Sequence, residues 1–103
     1  MVLVSVLYPN QPGSRFDERY YLDTHIPLVR KHWEPMGLTD LRLLRGTPNP
    51  DGSPATYRVI ALLTFTSAEA LANAGTAHGR EIFGDIPNFT DVKAVMQVNE
   101  ALA

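Results

Sequence analysis

Two double-sided apolar runs and two amphipathic stretches set the pattern of this chain. Val2, Val4, Val6 and Tyr8 alternate with Leu3 and Leu7, and the run stops at Pro9-Asn10-Gln11-Pro12-Gly13. Tyr57 to Phe65 repeats the pattern, with Val59, Ala61, Leu63 and Phe65 on one parity and Ile60 and Leu62 on the other. Apolar residues on both parities predict strands covered on both sides. Leu38 to Arg45 and Phe89 to Val98 predict two further strands whose charges suit sheet edges. In the last of these, Val92, Ala94, Met96 and Val98 share one face, opposite Asp91, Lys93, Val95 and Gln97.

Between the strands the period changes from 2 to 3.6. Ser14, with Asp17 three residues on, reads as the cap of a first helix. That helix carries two stripes. Leu22, Ile26, Val29 and Trp33 form an apolar face, and Tyr21, His25, Leu28 and His32 form an aromatic and ionisable one beside it. Pro27 removes a helical hydrogen bond and disfavours helical geometry before it, so a kink or break is expected just after His25. The helix should end near Trp33, ahead of Pro35 and Gly37. Thr66-Ser67-Ala68-Glu69 reads as a second capping box. The helix after it directs Leu71, Ala74, Gly75, His78 and Ile82 inward, with Glu69, Asn73, Thr76 and Arg80 outward.

The resulting order, β-α-β-β-α-β, predicts an α+β, ferredoxin-like domain with an antiparallel sheet spanning residues 1–103. The two double-sided strands take the centre and the charged ones the edges. Two helices cover only one sheet face, and the other still shows Val, Leu and Phe. A second copy stacked on that face would bury it, giving a homodimer that forms a dimeric α+β barrel.

Composition narrows the functional classes. With 103 residues, 45% hydrophobic, 19% charged and a net charge of −2, the chain is an ordinary globular domain. It has no basic stripe for nucleic acid, and its first apolar run is far too short to span a membrane. No cysteine is present, which removes disulfides, thiolate nucleophiles and Cys-based zinc sites. A cytoplasmic location is the default expectation.

The candidate chemistry lies between helices and sheet. Ala74 and Gly75 are too small to fill a layer, so His78 beside them suggests a cavity. Tyr21 and His25 converge on the same space from the first helix. The functional reading is an apolar pocket in which His25 or His78 acts as general acid or base and Tyr21 donates a hydrogen bond to a substrate oxygen. Trp33, Leu71 and Ile82 would contact the substrate. The plainer alternative is that each is a packed or hydrogen-bonded core residue. No metal is expected: His25 and His32 stand about 10 Å apart along a straight helix, and no His-x-x-x-His or carboxylate pair occurs at ligand spacing.

Several segments together resemble the EthD family: Tyr8-Pro9-Asn10, Phe16-Asp17, Tyr20-Tyr21, Thr24-His25-Ile26-Pro27-Leu28-Val29 and Asp85-Ile86-Pro87-Asn88-Phe89-Thr90-Asp91. The resemblance runs from the first strand to the last. It implies a dimeric α+β barrel, a family named from ethyl tert-butyl ether degradation operons, and a pocket wall built on Tyr20-Tyr21 and His25-Ile26-Pro27-Leu28. Barrels of this superfamily include muconolactone isomerases, cofactor-free polyketide oxygenases, polyketide cyclases and haem-degrading enzymes, so the fold alone selects no reaction. The expectation is a small enzyme using His/Tyr acid-base chemistry on an apolar or aromatic metabolite, without metal or cofactor, as an isomerase, cyclase or cofactor-free oxygenase. The alternatives are a non-catalytic hydrophobic-ligand-binding or accessory protein and a haem binder.

Overall fold

Four strands, β1 (Val2–Pro9), β2 (Leu38–Arg45), β3 (Tyr57–Phe65) and β4 (Val95–Asn99), form one antiparallel sheet in the order β2-β3-β1-β4. This is the arrangement in the computed structural model, which describes residues 1–103. The two strands with apolar residues on both parities are the central ones, as a ferredoxin-like sheet requires. Register aligns side chains into rows across all four strands. Leu41, Leu63, Val4 and Val98 make one row on the helix-covered face, and Leu43, Ala61, Val6 and Met96 the next. On the opposite face, Leu44, Ile60, Leu7 and Val95 make an apolar row beside one of Arg42, Leu62, Ser5 and Gln97. That face therefore carries Leu, Ile and Val but no Phe, because Phe65 has the parity of Leu63 and is fully buried under the helices.

The first helical region departs from a uniform 3.6 period. α1 (Glu18–Tyr20) leads through a π-helical turn, Tyr21–His25, into α2 (Ile26–Trp33). The Ile26 amide donates to the Tyr21 carbonyl five residues back. Widening by one residue relieves the clash that the Pro27 ring would make with the carbonyl of Asp23, so the helix passes Pro27 without a break. It also changes the stripes. Tyr21 now stacks one turn above Ile26, while Leu22 rotates out and is 49% exposed. The buried face is Tyr21, His25, Ile26, Val29 and Trp33, a merger of the two expected stripes.

Caps and the last strand are corrected in the same way. The first helix is capped by Asp17, whose carboxylate accepts from the Tyr20 amide, and Ser14 instead donates to the Gln11 carbonyl. Ser67, not Thr66, caps α3 (Ala68–Gly84) by accepting from the Ala70 amide. The chain from Phe89 to Val92 does not join the sheet. Phe89 accepts from the Asp17 amide, the Thr90 hydroxyl donates to the Arg15 carbonyl, and the Arg15 amide donates to Asp91. These bonds draw the segment onto the entry of the first helix, and β4 starts only at Val95.

Candidate active site

A cavity of about 410 Å³ lies between the helices and the covered sheet face. Its floor is Val4, Val6, Ala61 and Leu63, and its mouth carries the exposed side chains of Phe83, Met96 and Val98. The helices supply Tyr21, His25, Trp33, Leu71 and Ile82, along with Gly75, where an added Cβ would meet nothing within 4 Å. The missing side chain at Gly75 is thus part of the opening. Trp33 is fixed in the wall by donation from its indole nitrogen to the Ala74 carbonyl at 2.9 Å.

His25 is the polar centre of this wall. Its Nδ1 lies 2.9 Å from Oδ2 of Asp85, the residue that ends α3. The other carboxylate oxygen, Oδ1, accepts from the Tyr20 hydroxyl at 2.7 Å and from the Asn88 side-chain amide at 2.9 Å. Burial pulls the Asp85 pKa upward, but the hydrogen bonds from Tyr20, Asn88 and His25 outweigh it and hold the carboxyl below its ordinary range. The charge on Asp85 acts back on Tyr20, whose phenol is raised chiefly by that hydrogen bond. Burial pushes His25 down, against the partial upward pull of Asp85, which favours the neutral ring. An anionic carboxylate can only accept, hence Nδ1 carries the proton and Nε2 the lone pair. No protein group bonds to Nε2, no buried side-chain nitrogen or oxygen is left without a partner, and His25 lines the cavity, so Nε2 is not sealed off. The site therefore presents a tautomer-locked neutral imidazole in an apolar chamber.

Aromatic packing holds the ring in place. Tyr21 stacks on His25 at 5.6 Å, and Phe89 lies against it at 4.6 Å. Burial raises the phenols of both Tyr21 and Tyr8, and both remain protonated donors.

The remaining expected residues divide. Tyr20 does not line the cavity but bonds Asp85 behind it, and Leu28 packs against the core without reaching the opening. His78 is a correction: it does not line the cavity and stacks on His32, with ring centroids 4.1 Å apart. The helix phase that buries Ala74 and Ile82 buries Gly79 between them, leaving His78 at the rim of the helix pair. Local spacing also missed a group that the fold assembles across two helices, namely His32, His78 and Glu81. Asp85 and Asn88 were missed as site residues because they lie about sixty residues from His25 in sequence; the signal available was their place in the Asp85–Asp91 segment.

Comparison with known proteins adds a family. A scan of family models and a search of curated proteins give no match. Among solved structures, an EthD-like protein from Ralstonia eutropha JMP134 is 33% identical, with a TM-score of 0.90 over 99% of this chain and 92% of that one. An ethyl tert-butyl ether degradation (EthD) family protein from Bacillus halodurans C-125 is 26% identical, with a TM-score of 0.78 over 99% of both chains. SnoaB, a cofactor-independent oxygenase from Streptomyces nogalater, shares the fold at 12% identity, with a TM-score of 0.64 over 99% of this chain and 92% of that one.

Proposed function

The chain belongs to the EthD family, and from that premise we propose that it is a small enzyme that moves protons on an apolar or aromatic metabolite, with His25 as the base. The observation that carries this reading is the His25–Asp85 pair, with Nδ1 fixed on a carboxylate and Nε2 without a protein partner, in a ring that lines a largely apolar cavity. Nε2 would take a proton from a carbon or hydroxyl acid of the bound substrate. Asp85 would stabilise the imidazolium that forms, and Tyr21 would donate to the developing oxyanion. An isomerase would return the proton at a second position, a cyclase would use the carbanion on an internal carbonyl, and a cofactor-free oxygenase would pass its electrons to O₂. The fold shared with the oxygenase SnoaB supports the class without choosing among these.

The same reading includes a cytoplasmic homodimer. The row of Leu44, Ile60, Leu7 and Val95 leaves an apolar stripe on the uncovered sheet face, with Leu44 46% and Val95 48% exposed. Stacking a second copy there would bury both stripes symmetrically. Sedimentation should give a dimer at micromolar concentration and a folded monomer for Ile60→Glu; a monomeric wild type would refute it.

The second reading, a binder that uses the cavity without catalysis, is favoured by the almost wholly apolar lining. Ligand that copurifies with the chain, identified by mass spectrometry, supplies the assay. His25→Ala should retain binding of that compound and lose its turnover. Turnover equal to wild type would remove the acid-base assignment.

A further inference from the structure

The geometry points to a binding site for a zinc-class divalent cation at His32, His78 and Glu81, on the rim of the helix pair. His32 lies in the last turn of α2, and His78 and Glu81 sit at i and i+3 on α3, hence on one face. The indole of Trp33, next to His32, is bonded to the Ala74 carbonyl, one turn before His78, and this pins the two helices at that level. The two imidazoles consequently face each other at 4.1 Å with their planes 23° apart. Nε2 of His32 is 3.2 Å from a Glu81 carboxylate oxygen, and one ligand atom from each of the three residues lies within 4.8 Å of the others.

Those separations are close to what a shared ion requires. Zinc bonds of about 2.0–2.2 Å place two ligand atoms roughly 3–4 Å apart around a tetrahedron. The half-buried histidines and the exposed Glu81 can close the remaining gap by side-chain rotation. Two imidazole nitrogens and one carboxylate oxygen form a donor set suited to zinc and its first-row neighbours, not to calcium or magnesium, which take oxygen. Three protein ligands leave the fourth position to water. None of the three residues lines the cavity, so the ion would clamp α2 to α3 from outside. The inner faces of those helices, through Val29, Trp33, Leu71 and Ile82, form the cavity wall. This inference does not depend on the proton-transfer reading.

The test is titration of the full-length, EDTA-treated protein with Zn²⁺ by calorimetry and with Co²⁺ by visible absorption. Wild type should bind one ion per chain and give the intense ligand-field bands of tetrahedral Co²⁺. Saturating zinc should raise its Tm by about 5 °C or more. His78→Ala and Glu81→Gln should each weaken zinc binding by roughly tenfold or more, whereas His25→Ala should bind zinc as wild type does. Absence of a zinc-dependent Tm rise in wild type would overturn the site. Undiminished affinity in a His32→Ala/His78→Ala double variant would do the same, as would a stoichiometry of one ion per two chains.

Discussion

Replacing Asp85 by Asn changes a charge and one donor pattern while keeping the side-chain shape. The native carboxylate accepts three bonds: Tyr20 and Asn88 on Oδ1, His25 on Oδ2. An asparagine offers one carbonyl oxygen and one NH₂. Turning the carbonyl toward Tyr20 and Asn88 keeps two bonds, and turning it toward His25 keeps one, so the first orientation should win. The NH₂ then faces Nδ1 and requires that atom to accept, which moves the ring proton to Nε2. One charge-assisted bond becomes a neutral one and two others weaken. Such bonds are worth about 1.5–3 kcal/mol against about 1 for neutral ones. Taking the low end, about 0.5 kcal/mol for each of the three bonds, the expected loss of stability is about 1.5 kcal/mol. At ~4–8 °C per kcal/mol for a domain near this size, Tm should fall roughly 6–12 °C. Imidazole ¹H–¹⁵N spectra of ¹⁵N-histidine protein report the tautomer directly. Wild type should show His25 protonated at Nδ1, and Asp85→Asn should show it protonated at Nε2. An unchanged tautomer together with an unchanged Tm would refute the assignment of Asp85 as the group that positions His25.

Three further outcomes follow from the site. His25 is held below its ordinary value near 6.5, chiefly by burial, so below that pH the unfolded chain binds the proton first. Stability should be full above about pH 6.5 and fall on acidification until the folded-state pKa is passed. Chemical denaturation across pH should show this slope for wild type, and His25→Ala should flatten it; equal slopes would contradict the burial. Gly75 has open space around its Cα on the cavity side, so Gly75→Ala should gain about 0.8 kcal/mol from helix propensity. Gly75→Leu should remain folded but exclude ligand, and undiminished ligand uptake would place the binding space elsewhere. Trp33 is the single tryptophan and sits in the cavity wall. Its fluorescence should respond to an apolar ligand in wild type and not in Gly75→Leu; an equal response in both would mean the probe senses surface binding.

How much of this was legible depends on the element. The sheet was, because β1 and β3 carry apolar residues on both parities and strand period is insensitive to small irregularities. The first helix was legible as a helix but not in phase. A periodic reading assumes about 100° per residue, and the π-turn at Tyr21–His25 breaks that assumption at the site itself, turning Leu22 out and putting Tyr21, His25 and Ile26 on one side. The last strand was read six residues early because Phe89, Thr90 and Val92 have strand-like composition, yet they are buried by the loop at Arg15–Asp17. Tyr21, His25, Trp33, Leu71 and Ile82 were legible as cavity neighbours because burial and helix face select them. Asp85 was not: its role comes from a carboxylate at the end of α3 meeting a ring on the first helix, which no local spacing encodes. The same holds for His32 and His78, far apart in the chain and stacked in the fold.

The central claim is that His25 is a base toward molecules held in the cavity. Hydrogen–deuterium exchange at acidic carbon positions, followed by ¹H NMR in D₂O over a panel of apolar ketones, lactones and hydroquinones, tests it without knowledge of the natural reaction. Wild type should accelerate exchange of at least one cavity-binding member by roughly 100-fold or more over His25→Ala, with ligand binding intact in the variant. Exchange at the same rate in wild type and His25→Ala, for compounds that both proteins bind, would contradict the account.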